Sequence, residues 1–191
     1  LVLATNVAQG RGFAQELPSE PHDPRIQQFG RAPLYPLFLA PLTWTSAELR
    51  AGRLPSHVPS GVKLAQAAVG ALGLWWLAAG VRRVAGERAA RTAAWLGACY
   101  PPLVWICAYA LSEALYATLA LACVWWLGAI VDRVRDVDGR GDRLSRAAAG
   151  LLSGLAALTR PAMLFFLPIA VALLVIGPER LPRVARTAGH L

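Results

Sequence analysis

The chain has 191 residues, of which 56% are hydrophobic and 16% charged, and its mean hydropathy is +0.45. Soluble domains carry about 25% charged residues, and here the apolar residues are gathered into long uncharged runs. A soluble single domain, a disordered chain and a disulfide-stapled secreted module are thereby excluded, and an integral membrane protein remains. The net charge of +8 comes almost wholly from arginine, since Lys63 is the only lysine. The arginines cluster at the ends of apolar runs, which is the positive-inside pattern, and no nucleic-acid partner is expected.

Leu1 to Gln9 predicts a short amphipathic helix stopped by Gly10 and Gly12. No charged region followed by a short apolar core opens the chain, so no signal peptide is expected. Residues 14–31 read as a polar loop. Residues 32–47 lack charge but contain three prolines and fall short of a span, which needs about 20 apolar residues. Tyr35, Phe38 and Trp44 suit the membrane–water interface, so this stretch reads as surface-lying or re-entrant.

Leu64 to Val81 is an apolar run interrupted only by Gln66, and Arg82, Arg83, Arg88 and Arg91 follow it. Thr92 to Val131 carries a single charge, Glu113, over the length of two spans, with a kink expected at Tyr100-Pro101-Pro102. Asp132 to Arg146 holds five arginines and four aspartates. Ala147 to Ile176 is again apolar apart from Arg160, and Arg180, Arg183 and Arg186 return after it. The basic stretch from Glu179 to Leu191 shows no clear terminus, and the chain reads as a piece of a longer protein.

Placing the three basic blocks in the cytoplasm satisfies the positive-inside rule. The expected fold is all-α: a polytopic, multi-pass plasma-membrane protein with about five transmembrane helices, two hairpins plus one. Residues 1–61 form an extracytoplasmic loop with interfacial helices, and residues 62–191 form the transmembrane region. The hairpin tips fall near Glu113 and at Arg160-Pro161, so both charges converge on the outer side with the N-terminal loop. Gly150 and Gly154 make a small-xxx-small pair of the kind that marks close helix packing.

An intramembrane carboxylate is costly, which makes Glu113 a functional candidate; the plainer reading is a hydrated hairpin tip capping a helix beside Ser112. Arg160 suits a lipid phosphate or Glu113 itself, against simple snorkelling. Arg31 precedes the interfacial segment, where a guanidinium grips a phosphate with two donors, although a solvated surface arginine is the commoner case. His22 and Asp23 read as a solvated pair, and His57 and His190 are no stronger as metal ligands. Cys99, Cys107 and Cys123 have no ligand spacing and read as small buried hydrophobes. Trp75-Trp76 and Trp125-Trp126 read as belt or lipid-facing aromatics.

Four segments in order, AQGRGF, GRAPLYPLFLAPL, YALSEALYATL and AGLLSGLAALTRPAMLFFLP, resemble the GT-C membrane glycosyltransferases. The nearest groups are similar to dolichyl-phosphate-mannose protein mannosyltransferases and bacterial aminoarabinose transferases. The resemblance implies inverting transfer of a sugar from a polyprenyl-phosphate donor to an acceptor outside the membrane. It implies Arg31 and Arg160 as donor-phosphate contacts and Glu113 as a catalytic-site carboxylate that orients the acceptor or helps hold a divalent cation; no other cofactor is expected. The family's catalytic Asp would precede Leu1, and Glu16, Glu20 and Asp23 are weak substitutes for it. The implied partners are the sugar donor, membrane lipids and an unidentified acceptor. The alternatives are a fragment of a transporter or flippase, which predicts ionisable residues facing each other at midplane and inverted repeats, or a non-catalytic membrane scaffold, which does not need the charged loop ahead of the interfacial segment.

Overall fold

The computed structural model describes residues 1–16, 32–134 and 142–176. Helix α1 covers Val2–Ala8, and the chain leaves it through Gly10 and Gly12, both at positive φ, as the glycines predict. Helix α2, Leu34–Leu39, runs into a 3₁₀ segment, Ala40–Thr45, with Pro41 in its first turn. The short α3, Ala47–Arg50, is capped by Ser46, whose hydroxyl accepts from the Leu49 amide at 3.4 Å. None of these pieces approaches the length of a span. They fold on one another instead: Ala4, Leu39 and Val62 form a buried cluster, flanked by Tyr35, Phe38 and Leu42.

Helix α4, Ser60–Ala98, is two helical legs joined at Gly86, which has φ 83° and ψ 179°. This region of backbone space is open essentially to glycine alone. The second leg folds back along the first. A Cβ placed on Gly97 would come 2.5 Å from Leu74 Cδ2, and one on Gly70 would meet Cys107 Sγ at 2.7 Å. Roughly 35 Å of straight helix would otherwise separate Leu74 from Gly97. Helix α5, Pro101–Ala108, continues the return after the bend that Pro101 and Pro102 impose at Tyr100.

Helix α6, Ser112–Val134, then runs parallel to the first leg of α4. The Thr118 hydroxyl sits 2.8 Å from the Val69 carbonyl and 3.0 Å from that of Ala114, and Trp76 meets Trp125 at 5.0 Å between ring centroids. Arg83 lies 3.9 Å over the Trp125 ring and donates to the Trp125 carbonyl at 2.8 Å. These tryptophans therefore join helices as well as facing outward. Helix α7, Asp142–Thr159, descends antiparallel to α6. The two meet at the Cys123 thiol and Ser153 hydroxyl, 2.9 Å apart, and in a cluster of Cys123, Ala156 and Met163. Helix α8, Met163–Ile176, follows the turn at Arg160-Pro161.

Among the described residues the fold is helical without strands, as expected, but about five transmembrane helices are not supported. Two helices, Ser60–Ala98 and Ser112–Ile130, are long and apolar enough to cross a membrane. The reason is local chemistry. Pro101, Pro102 and Pro161 cut the apolar runs into lengths such as α5, about 12 Å long, against a hydrocarbon core of about 30 Å. Only 17% and 33% of the apolar windows in the two long helices are buried by the rest of the protein. Trp75, Trp95, Leu64 and Phe165 are likewise exposed. Apolar surface on this scale is stable against lipid and costly against water, which supports membrane residence. The cysteine expectation holds for Cys123 and fails for Cys99, which is exposed at the end of α4.

Candidate functional site

The start of α4, the start of α6 and the end of α7 come together at one end of the bundle, under α1 and α2. Glu113 lies in the first turn of α6 and Arg160 directly follows α7. Each charge suits the helix end on which it sits, since the macrodipole favours anions at the N-terminus and cations at the C-terminus. Arg160 Nη2 reaches Glu113 Oε1 at 3.3 Å, with the side chains 45% and 34% exposed. The two hairpin-tip charges thus close on each other.

The polar support beneath them comes from residues that the sequence hardly signals. Gln66, fully enclosed, donates from Nε2 to the Tyr35 hydroxyl at 3.0 Å and to the Leu111 carbonyl at 2.9 Å. It fastens α2, α4 and the approach to α6 through one amide. Asn6 does the same for the N-terminal loop, donating to the carbonyls of Ala14 and Glu16, both at 2.7 Å. Burial, and secondarily the Glu113 charge, push the Tyr35 phenol well above its ordinary pKa. Its oxygen serves as the acceptor for Gln66.

A cavity of about 600 Å³ opens here, lined by Tyr35, Ser112, Glu113, Thr159 and Arg160 with the apolar start of α1. Of the expected site residues, the structure brings Glu113 and Arg160 together; Arg31, Glu20 and Asp23 lie outside the described residues. Glu16 is described and its backbone carbonyl is held by Asn6. Among the described residues no three His, Cys, Asp or Glu side chains are grouped to hold a metal ion.

The ion pair is half-exposed, so screening limits its worth to about 1 kcal/mol. A double-mutant cycle with Glu113→Gln and Arg160→Gln, followed by unfolding in detergent, is expected to return a coupling of about 0.5–1 kcal/mol. Strictly additive losses would show that the two charges act independently.

Comparison with known proteins bears on the last part of the chain. Residues 164–191 match the model of the mttA/Hcf106 family. A stretch of 22 residues, 12% of this chain, is 86% identical to the Sec-independent protein translocase protein TatB of Methylibium petroleiphilum. The chain spans 13% of the length of that relative. No solved structure matches. Within the matched region, residues 164–176 belong to α8 and the remainder lies outside the described residues.

These matches overturn the glycosyltransferase resemblance, and with it the inverting enzyme and the polyprenyl-phosphate sugar donor. The reaction that gave Glu113 a catalytic role, and Arg31 and Arg160 a donor phosphate, goes with them. The physical reason lies in the motifs themselves. Three of the four segments end before residue 164, and each is a short stretch with Gly, Pro or one charge near a helix end. Any helical membrane protein needs such features to turn its chain. None places a base beside a nucleophile, and the resemblance itself put the base outside this chain.

Proposed function

We propose that the chain is a non-enzymatic, multi-pass plasma-membrane component of Sec-independent protein translocation, in which the helical bundle anchors a TatB-like C-terminal segment. The observation that carries this reading is the family match over residues 164–191, beside which a 22-residue stretch of the chain is 86% identical to a TatB protein. The charge pattern supports it. Apolar α8 leads into Arg180, Arg183 and Arg186, a membrane segment followed by a cytoplasmic basic stretch. The basic block 82–91 lies at the end of the bundle away from Glu113 and Arg160, so the same rule puts residues 1–61 outside. In this reading the ion pair and the Gln66 network close the outer end of the anchor. The partners are further translocase subunits and the proteins they move, and no cofactor is required.

The test is affinity purification of the full chain from membranes that contain a Sec-independent translocase. The full chain is expected to retain translocase subunits, and a chain ending at Ile176 is expected to insert but lose them. Retention by neither form, or by both equally, would reject the proposal.

A further inference from the structure

The reversal at Gly86 leaves a cleft between the two legs of α4, remote from the Glu113–Arg160 cavity. Its volume is about 140 Å³. That is below the 300–1,000 Å³ of sites that enclose a whole small molecule, so it holds a single group rather than a soluble ligand. Its floor is alanine, from Ala78 and Ala79 on one leg and Ala90 and Ala94 on the other, and its wall is Trp75. Its rim carries Arg82, Glu87 and Arg91.

The rim is charge-imbalanced. Glu87 lies between the two guanidiniums, 3.8 Å from Arg82 Nη1 and 3.7 Å from Arg91 Nε. Both separations exceed a hydrogen bond. One carboxylate therefore lies near both arginines without occupying their donors, and the trio keeps one net positive charge. All three side chains are more than half exposed. Neighbouring Arg83 is committed elsewhere, to the face and carbonyl of Trp125. The cleft also lies at a defined depth, where the apolar run Leu64–Val81 gives way to the basic block. That is the headgroup level of a bilayer on its basic side.

We propose that this cleft binds one anionic phospholipid, with Arg82 and Arg91 on the phosphate and the alanine floor and Trp75 against the glycerol and the start of an acyl chain. Three observations converge on that occupant. A phosphodiester carries the single negative charge that neutralises the rim, and guanidiniums match its geometry with paired donors. The cleft is too small to enclose the whole molecule, so the acyl chains must run on outside it. Exposed Trp95, one turn beyond Arg91, offers apolar surface for the rest.

Native mass spectrometry of the full chain tests this, with phosphatidylglycerol and phosphatidylcholine of the same acyl chains. Wild type is expected to retain phosphatidylglycerol preferentially, and Arg82→Gln/Arg91→Gln to weaken it about 10-fold or more. Glu87→Gln removes the competing carboxylate while keeping its shape, and is expected to tighten retention. Glycerol 3-phosphate, which has the phosphate without the chains, is expected not to displace the lipid at equal concentration. Equal retention of the two lipids, an unaffected double arginine variant, or displacement by glycerol 3-phosphate would overturn the proposal. Weaker retention by Glu87→Gln would do so too, and this variant keeps the test open if the double variant does not fold.

Discussion

Gly86→Val is expected to abolish the close approach of the two legs of α4. At φ 83° and ψ 179° a non-glycine residue costs about 1–3 kcal/mol, and a β-branched one falls at or above the top of that range. No neighbouring atom lies within 4 Å of where a Cβ would stand at this position, so the penalty is one of backbone conformation and not of space. The competing state is a continuous helix, in which valine is slightly better than glycine. That state has its own cost. A straight helix from Ser60 to Ala98 would be about 58 Å long, nearly twice the hydrocarbon thickness, and would pull Cys107 and Gly97 away from Gly70 and Leu74. The two costs together predict a protein that is both destabilised and structurally mixed. Oxidative cross-linking in a Leu74→Cys/Gly97→Cys background reports it directly: efficient with Gly86, reduced with Gly86→Ala and nearly absent with Gly86→Val. Equal cross-linking in all three would mean that residues 60–98 reverse for some reason other than the glycine.

Which parts of this arrangement the sequence announces follows from the range over which each signal acts. Short-range signals read well. Gly10 and Gly12 end α1, Pro101 and Pro102 bend the return leg, and Pro161 turns the chain after α7, because each acts through its own dihedrals or its missing N–H. That Glu113 and Arg160 lie at the same end of the bundle also reads well, because alternating basic blocks indicate which helix ends lie together. Gly86 is the instructive failure. It sits among Arg82, Arg83, Arg88 and Arg91, where a reversal and a continuing basic helix look alike, so its neighbours carry no record of the turn. The tally of spans failed for another reason: a run such as 92–131 has the length of two spans, but the prolines inside it leave α5 too short to cross.

The candidate site divides along the same line. Glu113 and Arg160 stand out as lone charges in apolar runs, and finding them together takes only topology. Gln66 and Asn6 do not stand out, because an isolated amide in an apolar run has the same signature whether it is enclosed or facing lipid. Their value lies in carbonyls and a hydroxyl contributed by other segments, Leu111 and Tyr35 for the one and Ala14 and Glu16 for the other. The resemblance rested on residue types that membrane helices use for turning and anchoring, whereas the segment that matches known proteins begins at residue 164, after most of those motifs.

The contact between α4 and α6 carries the second large effect, at Gly73. A Cβ there would stand 2.7 Å from Thr118 Oγ1 and 3.5 Å from Thr118 Cα. The first contact is with a hydroxyl that is itself engaged, 2.8 Å from the Val69 carbonyl, and the second is with backbone, which moves only if the whole helix moves. Gly73→Ala therefore sets two terms against each other. Alanine is worth about 1 kcal/mol more than glycine inside a helix, but it forces Thr118 to rotate away from Val69, at a cost of about 0.5–1.5 kcal/mol for the hydrogen bond. The net change is small. Gly73→Leu has no such balance. Its side chain must enter an interface already closed by Thr118, and overpacking of this kind costs about 1–3 kcal/mol or more. Separation of the helices would also open the Trp76–Trp125 contact further along. Gly73→Leu is thus expected to lower stability by about 3 kcal/mol, measured by unfolding in detergent. Thr118→Ala, which makes room at Gly73, is expected to recover part of the loss. A leucine variant as stable as wild type, or one that Thr118→Ala leaves unrescued, would show that α4 and α6 are not held at this distance by the Gly73–Thr118 contact.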